Sequence, residues 1–116
     1  MSENVIVIKS KAFAIKIVNM YKWICEEKRE YILSKQCLRS SSSIGANVAE
    51  AIRGQSKADF LAKMGIALKE ANETLYHLEL LFEGKYLPKE KFDEMYSDCK
   101  ELLRILMAIT KEQRKR

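Results

Sequence analysis

Proline and glycine are nearly missing from this chain, with one of the former and four of the latter in 116 residues. A β-rich domain draws on both for its many turns, so a sheet fold is excluded and long helices with short connections remain. Histidine occurs once, at His77. One imidazole cannot supply the two Glu-x-x-His pairs of a di-iron bundle, and a lone histidine on a helix reads as a packed or surface residue rather than a base for a serine nucleophile. Cys25, Cys37 and Cys99 are an odd number without CxxC spacing. That excludes a zinc knuckle and a disulfide framework, and it points to reduced core thiols in a cytoplasmic protein. No apolar run approaches the roughly 18 residues of a membrane span. The stretch Val5-Ile6-Val7-Ile8 is followed at once by Lys9 and Lys11, and no signal peptide is recognisable. Phosphate-cradling glycine loops are missing as well, since neither GxGxxG nor GxxxxGK occurs. The chain is therefore read as a non-enzyme with no catalytic residue, no metal and no cofactor.

What is present is apolar and periodic. The composition is 47% hydrophobic, enough to build a core and to exclude a disordered chain. Residues 1–116 are read as a single domain of four helices, at roughly 10–28, 29–53, 57–83 and 88–112. In the third segment Leu61, Met64, Leu68, Ala71, Leu75, Leu78 and Phe82 step by three and four, a seam that packs against neighbouring helices. Ser56 to Asp59 resembles a capping box at its start, and Gly84 marks its end. The fourth segment repeats the pattern through Phe92, Met95, Cys99, Leu102, Leu106 and Ile109, with Pro88 suited to the first helical turn. The fold class expected is all-α, an antiparallel up-down-up-down four-helix bundle.

The first segment is apolar around most of its circumference, and only Lys16, Asn19 and Lys22 form a polar strip. A helix of that kind is buried on more than one side. Self-association is expected, with Phe13, Ile17, Met20 and Trp23 as the candidate oligomer interface. The second segment carries its apolar stripe through Ser41-Ser42-Ser43-Ile44-Gly45. Ser43, Ile44 and Gly45 are read as a close-packing segment that lets a neighbouring helix approach, with a kink near Gly45 as a further expectation. Asn47, Glu50 and Glu73 are a candidate polar cluster that ties helices or subunits together.

The net charge is +5. A basic surface of this kind attracts phosphate backbone or an acidic protein. Candidate nucleic-acid contacts are Arg39, Arg53, Lys57 and Lys63, with Lys111, Arg114, Lys115 and Arg116 of the basic tail. No aromatic platform for single-strand stacking is evident.

Ser43-Ile44-Gly45-Ala46-Asn47-Val48-Ala49-Glu50-Ala51, then Arg53-Gly54-Gln55-Ser56-Lys57-Ala58-Asp59-Phe60, resembles the signature of the proteins of 23S rRNA intervening sequences, once filed as an S23 ribosomal protein family. Ile66 to Thr74, Leu78-Glu79-Leu80 and the Gly84-Lys85-Tyr86-Leu87 turn are similar too. Gly45 departs from the family's usual proline. The resemblance implies a bacterial four-helix bundle that assembles as a ring-like homopentamer and has no catalytic residue. A related fold serves as the nucleic-acid-binding accessory protein of diversity-generating retroelements. The function expected is non-enzymatic binding of structured RNA by a homo-oligomer. The alternative is a protein-interaction scaffold with an acidic protein partner. No membrane association is expected.

Overall fold

The computed structural model describes residues 2–115, so Arg116 lies outside it. Helix α1 spans Ser2–Trp23 and continues into one π-helical turn, Ile24–Lys28. Helices α2, α3 and α4 span Leu33–Ile52, Lys57–Glu83 and Lys89–Lys115. α1 packs on α2 and α4, and α3 packs on the same two helices from the other side. Adjacent helices run antiparallel. Lys9 meets Glu101 while Lys16 meets Asp98. Arg39 meets Glu73 while Glu50 meets Lys63. Phe82 stacks on Phe92, and the Cys99 thiol reaches the Ala71 carbonyl. The result is an up-down-up-down bundle 47 Å long and about 20 Å across.

The first two helices differ from their sequence-based bounds. α1 starts at Ser2 rather than near Ser10. Nothing before Ser10 breaks a helix, and Ile6, fully buried, extends the core face formed by Phe13, Ile17, Met20 and Ile24. The second helix begins at Leu33, because Arg29 turns left-handed at φ 53° and ends the π turn. Glu30 then reaches forward. Its carboxylate accepts from the backbone N–H groups of Ile32, Leu33 and Ser34 at 2.8–2.9 Å. These donors open α2 and would otherwise lack partners. Burial pushes the Glu30 carboxyl up, but the three N–H bonds outweigh it and hold its pKa below the ordinary value.

α3 has the bounds expected of it, with the Ser56 side chain accepting from the Asp59 N–H at 3.0 Å. Its end is built differently from the glycine stop. Gly84 keeps a helical φ of −77°, and Lys85 takes the left-handed position at φ 71°. The Lys85 N–H then bonds the Phe82 carbonyl and the Tyr86 N–H bonds the Leu81 carbonyl, the paired bonds of a Schellman closure.

The serine-rich segment is helix throughout, and α2 runs through Gly45 without interruption. Ser40 and Ser41 are fully buried. The Ser41 hydroxyl donates back to the Leu38 carbonyl within the helix, and the Ser40 hydroxyl meets the Thr74 hydroxyl of α3 at 2.8 Å, so burial leaves neither unpaired. A Cβ added at Gly45 would lie 3.4 Å from the Ser10 Oγ and 3.8 Å from its backbone carbon. α1 therefore lies close against α2 where two small residues face each other. The apolar stripe of α2 continues on both sides through Cys37, Ile44, Val48 and Ala51, all at 1% exposure or less.

Candidate nucleic-acid interface

Antiparallel packing gathers four helix ends at one end of the bundle: the start of α1, the end of α2, the start of α3 and the end of α4. Gln113 of α4 and Ala51, Gly54, Lys57 and Phe60 of the α2–α3 corner line one shallow depression there. Arg53 and Lys57 thus lie toward the same end of the bundle as Lys111, Arg114 and Lys115, which line a separate groove with Leu68 and Met107. All five are exposed. No ion pair with a carboxylate forms at any of them among the described residues.

Two other candidate cations are placed differently. Arg39 lies about 21 Å from Arg53 along α2, at 1.5 Å per residue. Its guanidinium sits 3.1 Å from Glu73 and 3.6 Å from Glu70 of α3. Lys63 is held by Glu50 at 2.9 Å. Both charges are offset within the chain. The residues read as a polar cluster also come apart. Glu50 and Glu73 serve as partners of separate cations, and the Asn47 amide donates to the Ser43 carbonyl of its own helix at 2.8 Å. Ser43 and Gly45 are half-buried along α2, and Ile44 is fully buried.

A polar network between α2 and α3 was not foreseen from sequence. The Ser40 hydroxyl lies 2.8 Å from the Thr74 hydroxyl and 3.2 Å from Nδ1 of His77. Thr74 donates to the Glu70 carbonyl at 2.8 Å. Burial lowers the His77 pKa, and nearby Glu73 only partly opposes it. Ser40 is wholly enclosed, so it cannot reach a substrate, and the network reads as an interhelical tie. Its sequence signal was a serine stripe on α2 opposite Thr74 and His77, one turn apart on α3. Burial raises the Cys37 and Cys99 thiols to about 12, which leaves both as inert core groups.

The oligomer candidates need correction. Phe13, Ile17 and Met20 are at most 4% exposed and belong to the chain's own core. Trp23 is exposed at the opposite end of α1, with Lys28 over its ring at 5.8 Å. The apolar residues that α1 turns outward include Ile8, Ile15 and Val18, exposed at 68%, 54% and 36%, with exposed Lys11 between the first two on the same face. Among the described residues no helix is long and apolar enough to cross a membrane.

Four antiparallel helices around one core define a helical-bundle protein. The chain belongs to the family of 23S rRNA-intervening sequence proteins, whose pattern matches residues 2–108. The cations Lys111, Arg114 and Lys115 lie beyond that match. A crystal structure of a protein of unknown function from the S23 ribosomal protein family of Bacteroides thetaiotaomicron is 49% identical and superposes with a TM-score of 0.94. The similarity covers 96% of this chain and 99% of that one. No functionally curated protein matches the chain.

Proposed function

We propose that this protein is a non-enzymatic homo-oligomer that grips the phosphate backbone of structured RNA with the basic end of its bundle. One observation carries the reading. Arg53 and Lys57 of the α2–α3 corner and Lys111, Arg114 and Lys115 of α4 come from two distant parts of the sequence, yet lie toward one end of the bundle with no carboxylate ion pair among the described residues. An unpaired cation keeps its full attraction for phosphate, whereas Arg39 and Lys63 have already spent much of theirs on Glu73 and Glu50. The outward-facing Ile8, Ile15 and Val18 support assembly through α1. A homopentamer, the state the family resemblance implies, would gather five basic ends and convert weak phosphate contacts into avidity.

The test is fluorescence anisotropy of a labelled RNA hairpin across a salt series, with mass from light scattering on the same sample. If all five cations of a protomer engage phosphate, the slope of log K against log salt is about −3.5 to −4.5. Affinity then falls on the order of a hundredfold or more between 50 and 200 mM salt. Reversing the five charges to Glu should abolish binding and leave the mass unchanged. Retained affinity would refute the basic-end assignment. Ile15→Glu should reduce the mass to that of one chain, and an unchanged mass would remove α1 from the interface.

A further inference from the structure

A groove of about 570 Å³ runs between α3 and the last turns of α4, beside the basic end. Leu68, Met107 and Ala108 form an apolar floor, and Lys111, Arg114 and Lys115 form the rim. Thr110 also lines it, but its hydroxyl is committed to the Met107 carbonyl at 3.0 Å. Met107 is 54% exposed. The floor therefore selects an apolar group, and the rim selects negative charge.

The size of the floor narrows the occupant further. On α4 the apolar floor is Met107 and Ala108 alone, within a single turn, while the charged rim runs on to Lys115, about 12 Å beyond Met107. A docked partner helix anchors itself over two turns or more, at i, i+3 or i+4, and i+7. A floor one turn long suits a single flat ring flanked closely by anionic groups. That is the chemistry of a nucleotide whose base has left its stack. A methionine thioether makes favourable contacts with an aromatic ring. Arginine guanidinium planes stack on splayed bases, and unpaired loop or bulge bases are where proteins read RNA.

We propose that this groove receives one unpaired base of a structured RNA, laid on Met107 against Arg114, with the neighbouring phosphates on Lys111 and Lys115. The proposal rests on the basic-end reading above and adds what that end recognises. A fully paired A-form stem offers no such base, so it would leave the groove empty.

Three hairpins of one sequence test this with the full chain: fully paired, carrying a single-nucleotide bulge, and carrying the same bulge without its base. Anisotropy should show the bulged hairpin bound about tenfold more tightly than the other two, the size of one stacked base. In Met107→Ser that advantage should shrink to nearly one, with affinity for the paired hairpin unchanged. The exposed position of Met107 makes this substitution compatible with folding. Equal affinity for the bulged and base-free hairpins overturns the proposal even if binding remains steeply salt-dependent. A synthetic acidic amphipathic helix that displaces the bulged hairpin and loses affinity in Met107→Ser also overturns it, and assigns the groove to a protein partner. If Lys111→Glu/Arg114→Glu/Lys115→Glu binds all three hairpins as wild type does, the basic-end reading itself falls.

Discussion

Gly45 offers a test in which two substitutions at one site should act in opposite directions. Its missing side chain faces Ser10 of α1, and an added Cβ would sit 3.4 Å from the Ser10 Oγ and 3.7 Å from its Cβ. Those are ordinary contact distances, so Gly45→Ala fits without displacing α1. Glycine inside a helix costs about 1 kcal/mol against alanine. Gly45→Ala should therefore stabilise the protein by up to about 1 kcal/mol. Gly45→Leu places its branched end beyond a Cβ that already touches α1. The helices must part or the side chain must leave its rotamer, at about 1–3 kcal/mol. The assay is urea unfolding of both variants at one fixed protein concentration, since the apparent stability of any protein that assembles depends on concentration. The midpoint should rise for Ala and fall for Leu with the slope m unchanged. A leucine variant as stable as the alanine variant would refute the close crossing of α1 and α2.

Other outcomes follow from local geometry. Glu30→Ala removes the acceptor for three N–H groups and should cost about 1 kcal/mol, measured by the same unfolding assay. The folded-state pKa of Glu30 is lowered. Its contribution is therefore complete above the unfolded carboxylate pKa and is lost as pH falls through the folded one, so wild type and Glu30→Ala should converge in acid. A constant gap at all pH values would contradict the capping role. Lys85→Gly relieves a left-handed backbone at φ 71° and should stabilise by about 0.5–1 kcal/mol in thermal unfolding. An unchanged or lower Tm counts against strain at that position. Alkylation of the native protein at pH 8, read by mass spectrometry, should modify half-buried Cys25 and spare Cys37 and Cys99, whose burial raises them to about 12. Modification of either buried thiol before unfolding would contradict that account.

The sequence by itself determined the helix count, the class and the seams. The extent of α3 was legible because its cap and its heptad steps lie within one local segment, from Ser56 to Phe82. The passage of α2 through its serines was legible for the same reason, since helical periodicity is a property of a single helix. The family could be named from the stretch between Ser43 and Phe60, and the match over residues 2–108 agrees.

Only the tertiary structure decided what each side chain faces. Phe13, Ile17 and Met20 had the composition of an interface, but the rotation of α1 turned them inward and left Ile8, Ile15 and Val18 outside. Arg39 and Lys63 looked like the other cations until α3 brought Glu73 and Glu50 against them. Arg53 and Lys57 lie far in sequence from Lys111, Arg114 and Lys115, and packing alone placed them on one end. Even the αL residue that closes α3 moved from the expected glycine to Lys85, because the closing bonds run to Leu81 and Phe82 and fix the turn one residue later. The physical reason is common to all of these. Periodicity and capping are written within a few turns of chain, whereas a charge's partner or an apolar residue's exposure depends on helices that meet only after the core has packed.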